Sequence, residues 1–134
     1  MSHSIRIFLL LCLMCSSMHL QAQLPATDGE RCNYNVQIDM RNAYFSGVCV
    51  MVRSTELVKC SMVNEFGVTV MEFIYDTNRD KLTLVSVMSM LDKWYIRRML
   101  RKDLRCVMLN LKQNQTTYSN DKRGMRYTFT LFEK

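Results

Sequence analysis

Apolar and polar residues alternate through Tyr34, Val36, Ile38 and Met40, with Asn35, Gln37, Asp39 and Arg41 between them. Successive side chains of a strand point to opposite faces, so this pattern predicts a strand with one buried face. Four further runs follow: 44–53 (YFSGVCVMVR), 56–64 (ELVKCSMVN), 68–76 (VTVMEFIYD) and 81–88 (KLTLVSVM). Ser54-Thr55, Glu65-Phe66-Gly67 and Thr77-Asn78-Arg79-Asp80 separate the last four, and each suits a tight reversal. The pattern predicts an antiparallel meander. Phe73, Ile74, Val85 and Val87 make its middle strands apolar on both faces in places, so one face requires a cover.

The period then lengthens. Ile96, Leu100, Leu104, Val107 and Leu111 recur at helical spacing and predict a helix over 89–111, begun at Ser89 or at Asp92. Lys93, Arg97, Arg101 and Arg105 fall four residues apart on another face, with Arg98 and Lys102 beside them. This basic stripe fits a solvated outer face or, alternatively, a contact surface for anionic lipid or an acidic partner. Residues 114–119 (NQTTYS) and 125–132 (MRYTFTLF) flank the turn Asn120–Gly124 and close the chain. The fold class is α+β: a curved antiparallel sheet of about seven strands, an open half-barrel, packed on one long amphipathic helix. Gly47 predicts a bend or bulge where the sheet curls.

The first residues lie outside this scheme. Ser2 to Arg6 carry one positive charge, Ile7 to Met14 are apolar, and small and polar residues follow through Leu20-Gln21-Ala22-Gln23. That layout predicts a secretory signal peptide over 1–22. The apolar run is far shorter than the roughly 20 residues a membrane-spanning helix needs. Cys12 and Cys15 raise lipid anchoring as an alternative to soluble export, although Leu11 and Met14 before them are not small. Residues 23–31, with the only proline, are expected to form a loose leader, and 32–134 a single domain.

Of the 18 Lys and Arg residues Arg6 falls in the signal, leaving 17 against 12 acidic residues, a formal net charge of +5. The excess suits an anionic partner such as a membrane surface. No nucleic-acid-binding module is recognisable, so nucleic acid is not an expected partner. Both histidines, His3 and His19, lie in the signal, so the rest of the chain lacks the usual general base and the commonest metal ligand. Cys32, Cys49, Cys60 and Cys106 form no C-x-x-C pair, and no nucleophile elbow, phosphate loop or dinucleotide fingerprint occurs. No enzymatic activity, metal or cofactor is expected. Glu72, Asp76 and Asp92 are the carboxylates to check for a hydrolase. Cys49 and Cys60 are equidistant from a reversal at Ser54-Thr55, which predicts that they face each other across neighbouring strands, as a disulfide or as two buried thiols.

Residues 44–111 resemble the bacterial outer-membrane lipoprotein carrier and receptor superfamily (LolA/LolB-like), as a distant member. The resemblance runs through F-S-G-V-C-V-M-V-R, L-V-K-C-S-M-V, the turn N-E-F-G, V-T-V-M-E-F-I-Y-D and the amphipathic helix. It implies an unclosed β-barrel capped by helices, with an apolar cavity for lipoprotein acyl chains. In the receptor branch the equivalent turn is similar to N-P-L-G, and its protruding leucine helps to insert lipoproteins into the membrane. The match places Phe66, next to Gly67, at that membrane-touching position; the alternative is that Phe66 folds back onto the core. This chain is shorter than typical members, which carry additional helices.

The expected function is a non-enzymatic cell-envelope protein, exported to the periplasm or the periplasmic face of the outer membrane. As a monomer it would bind a lipid or acylated lipoprotein between sheet and helix, in lipoprotein transport or insertion. Candidate cavity liners are Met62, Met71, Phe73, Val85, Met88, Trp94 and Leu100; methionine suits a cavity that must adapt its shape. The same residues fit a plain core. The rival is an envelope interaction or scaffold protein with a filled core, working through its basic helix face. Space between helix and sheet separates the two.

Overall fold

Strand follows strand in the predicted order: β1 (Arg31–Asp39), β2 (Tyr44–Ser54), β3 (Leu57–Asn64), β4 (Thr69–Asp76) and β5 (Lys81–Val87). A single 3₁₀ turn (Ser89–Leu91) precedes helix α1 (Trp94–Lys112), and β6 (Thr117–Asn120) and β7 (Met125–Glu133) follow. The computed structural model describes residues 23–133, so the signal peptide and the anchoring question at Cys12 and Cys15 lie outside the described residues. The strands form one antiparallel sheet in the order β5-β4-β3-β2-β1-β7-β6. It curls into a half-barrel with α1 packed against it.

Alternation supplies the inner face. Cys32, Tyr34, Val36 and Ile38 of β1 are buried, as are Cys49 and Met51 of β2, Val58, Cys60 and Met62 of β3, and Tyr127 and Phe129 of β7. From α1 the stripe Leu100, Leu104, Val107, Met108 and Leu111 packs against them. Burying each such side chain contributes roughly 1.5–3 kcal/mol.

The curl has local causes. The β3–β4 ladder slips between Met62 and Val63: Met62 faces Met71 while Val63 faces Thr69. Val70 is the extra residue, and it and Met71 are both buried although adjacent. Such a bulge bends its strand and raises the local twist. Further slips occur at Glu72/Phe73 against β5 and at Asn33/Tyr34 against β7.

Of the predicted bend or bulge at Gly47 there is no bulge: the β1–β2 ladder runs through it in unbroken register, and the β2–β3 ladder ends on it, opposite Asn64. A Cβ there would lie 2.2 Å from the Val63 carbonyl oxygen and 2.8 Å from Cζ of Phe45. Glycine lets the β3 backbone and the Phe45 ring close over the same spot.

The helix starts later than either predicted cap. Neither Ser89 nor Asp92 caps it: Lys93 stands at the cap position with no side-chain bond. Asp92 instead pairs with Arg97 Nε at 2.5 Å, leaving its carboxylate at the positive end of the helix.

Two polar clamps hold α1 on the sheet. Asp103, fully buried, accepts hydrogen bonds from the Tyr127 hydroxyl at 2.7 Å and from Asn120 Nδ2 at 2.9 Å. Burial first, and then the carboxylate of Asp103, raise the Tyr127 pKa far above its ordinary value. Arg105 donates to the Asp80 carboxylate at 2.7 Å and to its carbonyl at 3.1 Å. The Tyr75 hydroxyl donates to the other Asp80 oxygen at 2.6 Å.

Residues 23–30 are not the loose leader that their composition predicted. The Gln23 amide donates to the Tyr34 hydroxyl at 2.8 Å, and that hydroxyl donates back to the Gln23 carbonyl. Burial is the main cause that pushes the Tyr34 pKa up to about 12. Leu24 is buried, the Glu30 carboxylate accepts from the amides of Ala26 and Thr27, and Gly29 donates to the Arg53 carbonyl at 2.8 Å.

Gly47→Ala is expected to destabilise the fold by about 1–3 kcal/mol through overpacking, seen as a lower urea midpoint. Asp80 supplies a pH dependence. Its hydrogen bond from Tyr75, with the Arg105 pair, holds its carboxyl below the usual range. The stabilisation is therefore present above about pH 4, the unfolded value, and is lost as pH falls through the depressed folded one. Asp80 sits at φ +52°, which asparagine tolerates. Asp80→Asn should cost about 1–2 kcal/mol at pH 7, given the partly exposed ion pair, and much less at pH 2. Urea unfolding at both pH values measures this, and an equal loss at each would refute it.

Candidate functional site

Helix α1 runs along the trough of the half-barrel. Its last turns reach the β4–β5 turn, where Arg105 meets Asp80 and the Lys112 ammonium lies 5.6 Å from the Tyr75 ring centre. Its first turns lie at the opposite end, beside the start of β2 and β4 and the end of β1, β3 and β5. There the trough is not filled. A cavity of about 400 Å³ opens between Ile38 of β1, Phe45 and Tyr44 of β2, Met62 of β3, Val70 and Met71 of β4, and Ile96, Met99 and Leu100 of α1. Met88, Met90 and Leu91 from the β5–α1 connection, with Met40 and Met125, complete its wall. The volume is that of a small-ligand site, ~300–1,000 Å³. Its wall is almost wholly apolar, and Tyr44 is the one residue in it with a titratable side chain. It can bury a chain, and the flexible thioethers of seven methionines allow it to fit chains of different shape.

Of the sequence candidates, Met62, Met71, Met88 and Leu100 line this cavity. Phe73, Val85 and Trp94 do not. Phe73 is buried one rung deeper, opposite Cys60 and Leu84. Alternation from Leu82 and Leu84 turns Val85 to the outer face, where it is half exposed. Trp94 is 74% exposed at the start of α1. Val70, Phe45 and Met99 were missed. Val70 faces inward only because of the bulge, and no sequence period signals that; the crowding of methionines over 88–99 was the available signal for the helix side.

The turn carrying Phe66 is built around Asn64. Its Oδ1 accepts from the amides of Phe66 at 2.9 Å and Val68 at 3.0 Å, its amide donates to the Val68 carbonyl, and Gly67 takes φ +80°. Phe66 is 84% exposed and does not fold back. It has company: Met40, Tyr44, Val68, Met90, Trp94 and Tyr95 are exposed too, in the connections or at the first residues of β2 and α1, at the open end of the trough. Large contiguous apolar exposure is a general feature of interaction sites.

The basic stripe divides. Arg97 and Arg105 are engaged by Asp92 and Asp80, and Lys93 and Arg101 are exposed. Arg98 and Lys102 border a second hollow with Trp94, Tyr95, Met99 and Asp103. The three carboxylates of interest do not converge: Asp92 pairs with Arg97, Asp76 accepts from the amides of Asn78 and Arg79 in its own turn, and Glu72 is exposed on the outer face.

The predicted cysteine pairing is also revised. The β2–β3 reversal is Thr55-Glu56, with Ser54 opposite Leu57, so Cys49 faces Met62 and Cys60 faces Met51. The two are diagonal neighbours, both free buried thiols, and the Cys60 thiol donates to the Val58 carbonyl at 3.8 Å. Burial, and secondly the contact with Cys49, raise the Cys60 pKa well above the ordinary thiol value.

Comparison with protein-family models, with curated proteins and with solved structures finds no match.

A buried, protonated thiol is a poor nucleophile, whereas Cys106 is only half buried beside Tyr118. Ellman's reagent should therefore label Cys106 in the folded protein, and Cys49 and Cys60 only as the protein unfolds. Cys106→Ser should remove the early phase; an early phase that persists in this variant and disappears in Cys60→Ser would contradict the burial.

Proposed function

We propose that this protein is a non-enzymatic binder of acyl chains in the cell envelope, and that its exposed rim touches the membrane while a chain enters or leaves. One observation carries this reading: the apolar cavity opens at the same end of the trough as Phe66, Met90, Trp94 and Tyr44. Tyr44 and Trp94 can bury apolar area at a membrane interface while their polar edges stay wet, and Phe66 and Met90 add apolar area alone. The cargo would be a lipid or the acyl chain of a lipoprotein. The similarity of Asn64-Glu65-Phe66-Gly67 to the receptor-branch turn and the signal-like segment 1–22 support that choice and an export to the periplasm.

Magnitudes fit a carrier. Burying about ten methylenes yields about 8 kcal/mol at ~0.8 kcal/mol each. The loss of translational and rotational freedom offsets a large part of this. The net is affinity that retains a chain in water and releases it to a bilayer. The unfilled trough favours this reading over the interaction protein with a filled core.

The test uses 1-N-phenylnaphthylamine, an apolar fluorophore that brightens on leaving water. The protein is expected to bind it, and Met71→Trp or, on the helix wall, Ile96→Trp to weaken binding at least about tenfold, about 1.4 kcal/mol. Phe66→Glu should leave that affinity unchanged while slowing probe transfer to vesicles of phosphatidylethanolamine and phosphatidylglycerol. Absence of probe binding by the folded protein, or equal binding by both tryptophan variants, would end the cavity reading. Unchanged transfer by Phe66→Glu would remove the rim from it.

A further inference from the structure

The apolar cavity has a charged neighbour. On α1, Arg98 and Lys102 lie one turn apart, and Trp94 and Tyr95 stand one turn before Arg98. Lys122 and Arg123 reach the same hollow from the β6–β7 turn. Asn120 fixes that turn: its Oδ1 accepts from the Arg123 amide at 3.3 Å, while its Nδ2 donates to Asp103. Arg41 donates to the Lys122 carbonyl, and its side chain lies so close over Gly124 that a Cβ there would be 2.6 Å from its Nε. The hollow measures about 400 Å³, and Met99 is a wall of both it and the apolar cavity.

Four cations without ion-pair partners among the described residues, Arg98, Lys102, Lys122 and Arg123, thus surround one hollow. Arg97 and Arg105 on the same helix do have partners. The carboxylate in the hollow, Asp103, is 1% exposed and is occupied by Asn120 and Tyr127. Asp121 belongs to the turn but does not line the hollow. The local field is positive, and the hollow shares the Met99 wall with the apolar cavity.

We infer that the chain held in the apolar cavity belongs to a single-chain amphiphile with a phosphate headgroup, and that Arg98, Lys102, Lys122 and Arg123 bind that headgroup. This rests on the chain-binding reading above and adds the chemistry of the head. A phosphate monoester carries nearly two negative charges and three acceptor oxygens, which match several cations better than a carboxylate does. Guanidinium groups grip phosphate through paired hydrogen bonds. Trp94 and Tyr95, ring centres 5.8 Å apart and edge to face, flank the site where tail gives way to head.

The experiment compares four ligands sharing a dodecyl tail, each titrated below its micellar concentration with the full described chain: dodecyl phosphate, dodecanoate, dodecyltrimethylammonium and dodecyl maltoside. Dodecyl phosphate is expected to bind at least about tenfold more tightly than the maltoside, with dodecanoate between them and dodecyltrimethylammonium weakest. Its advantage should shrink between 50 mM and 500 mM NaCl as the field is screened. Arg98→Gln and Arg123→Gln should each remove most of it without changing maltoside binding, while Arg101→Gln, outside the hollow, leaves it intact. Equal affinity for the phosphate and the trimethylammonium compound overturns the headgroup site and leaves the cavity standing. Failure of all four to bind the folded protein overturns both. Loss of maltoside binding in the two glutamine variants overturns the division between head and tail.

Discussion

Everything in this structure depends on one topological constraint: after β5 the chain is at one edge of the sheet, and β6 lies at the other. A connection between opposite edges must cross a face, and the apolar inner face is the one that rewards covering. Helix α1 makes the crossing, pinned at Asp103 by Tyr127 and Asn120 and at Arg105 by Asp80. A single helix about 10 Å wide cannot fill a curled seven-stranded trough. Its large apolar residues, Leu104 to Leu111, fill the end toward Asp80, and the other end remains a cavity.

The elements were legible because each obeys its own period. The strands alternate, the helix repeats, and the turns carry Asn, Asp and Gly where positive φ or an amide acceptor is needed. Registers were less legible. Reading the β2–β3 reversal one residue early placed Cys49 opposite Cys60, whereas Thr55 at φ +54° sets the turn over Thr55-Glu56 and shifts the pairing by two. Turn geometry, not strand composition, decides such a register. The cavity was half legible. Met62, Met71, Met88 and Leu100 follow from period alone, but Val70 depends on a bulge, and Trp94 depends on where the helix starts. That start was misread because both capping residues were plausible by type, and Asp92 spends its carboxylate on Arg97 instead.

Long-range polar contacts were invisible to any local pattern. The segment 23–30 looks like a free leader until the Tyr34 hydroxyl is seen to hold Gln23 and the Arg53 carbonyl to hold Gly29. The basic stripe likewise reads as uniform along the sequence. In three dimensions two of its arginines are paired with acids, and two of its members, Arg98 and Lys102, combine with the distant β6–β7 turn. Charge spacing on a helix shows which face is basic; only the tertiary structure shows which charges remain available to a ligand.

A wall made of methionine, leucine and aromatic carbon discriminates poorly among chains, since one methylene more or less changes burial by under 1 kcal/mol. Selectivity in such a site has to come from what stays outside it. On this molecule the outside has two parts, an apolar rim around Phe66 that suits delivery from a bilayer and a cationic hollow that suits one class of head. Under the proposed function the methionine wall would set retention, the rim access, and the charges identity. Because Met99 borders both hollows, a ligand that used both as proposed would have its tail depth fixed by its grip on the cations. Head chemistry and chain length would then be coupled through one side chain.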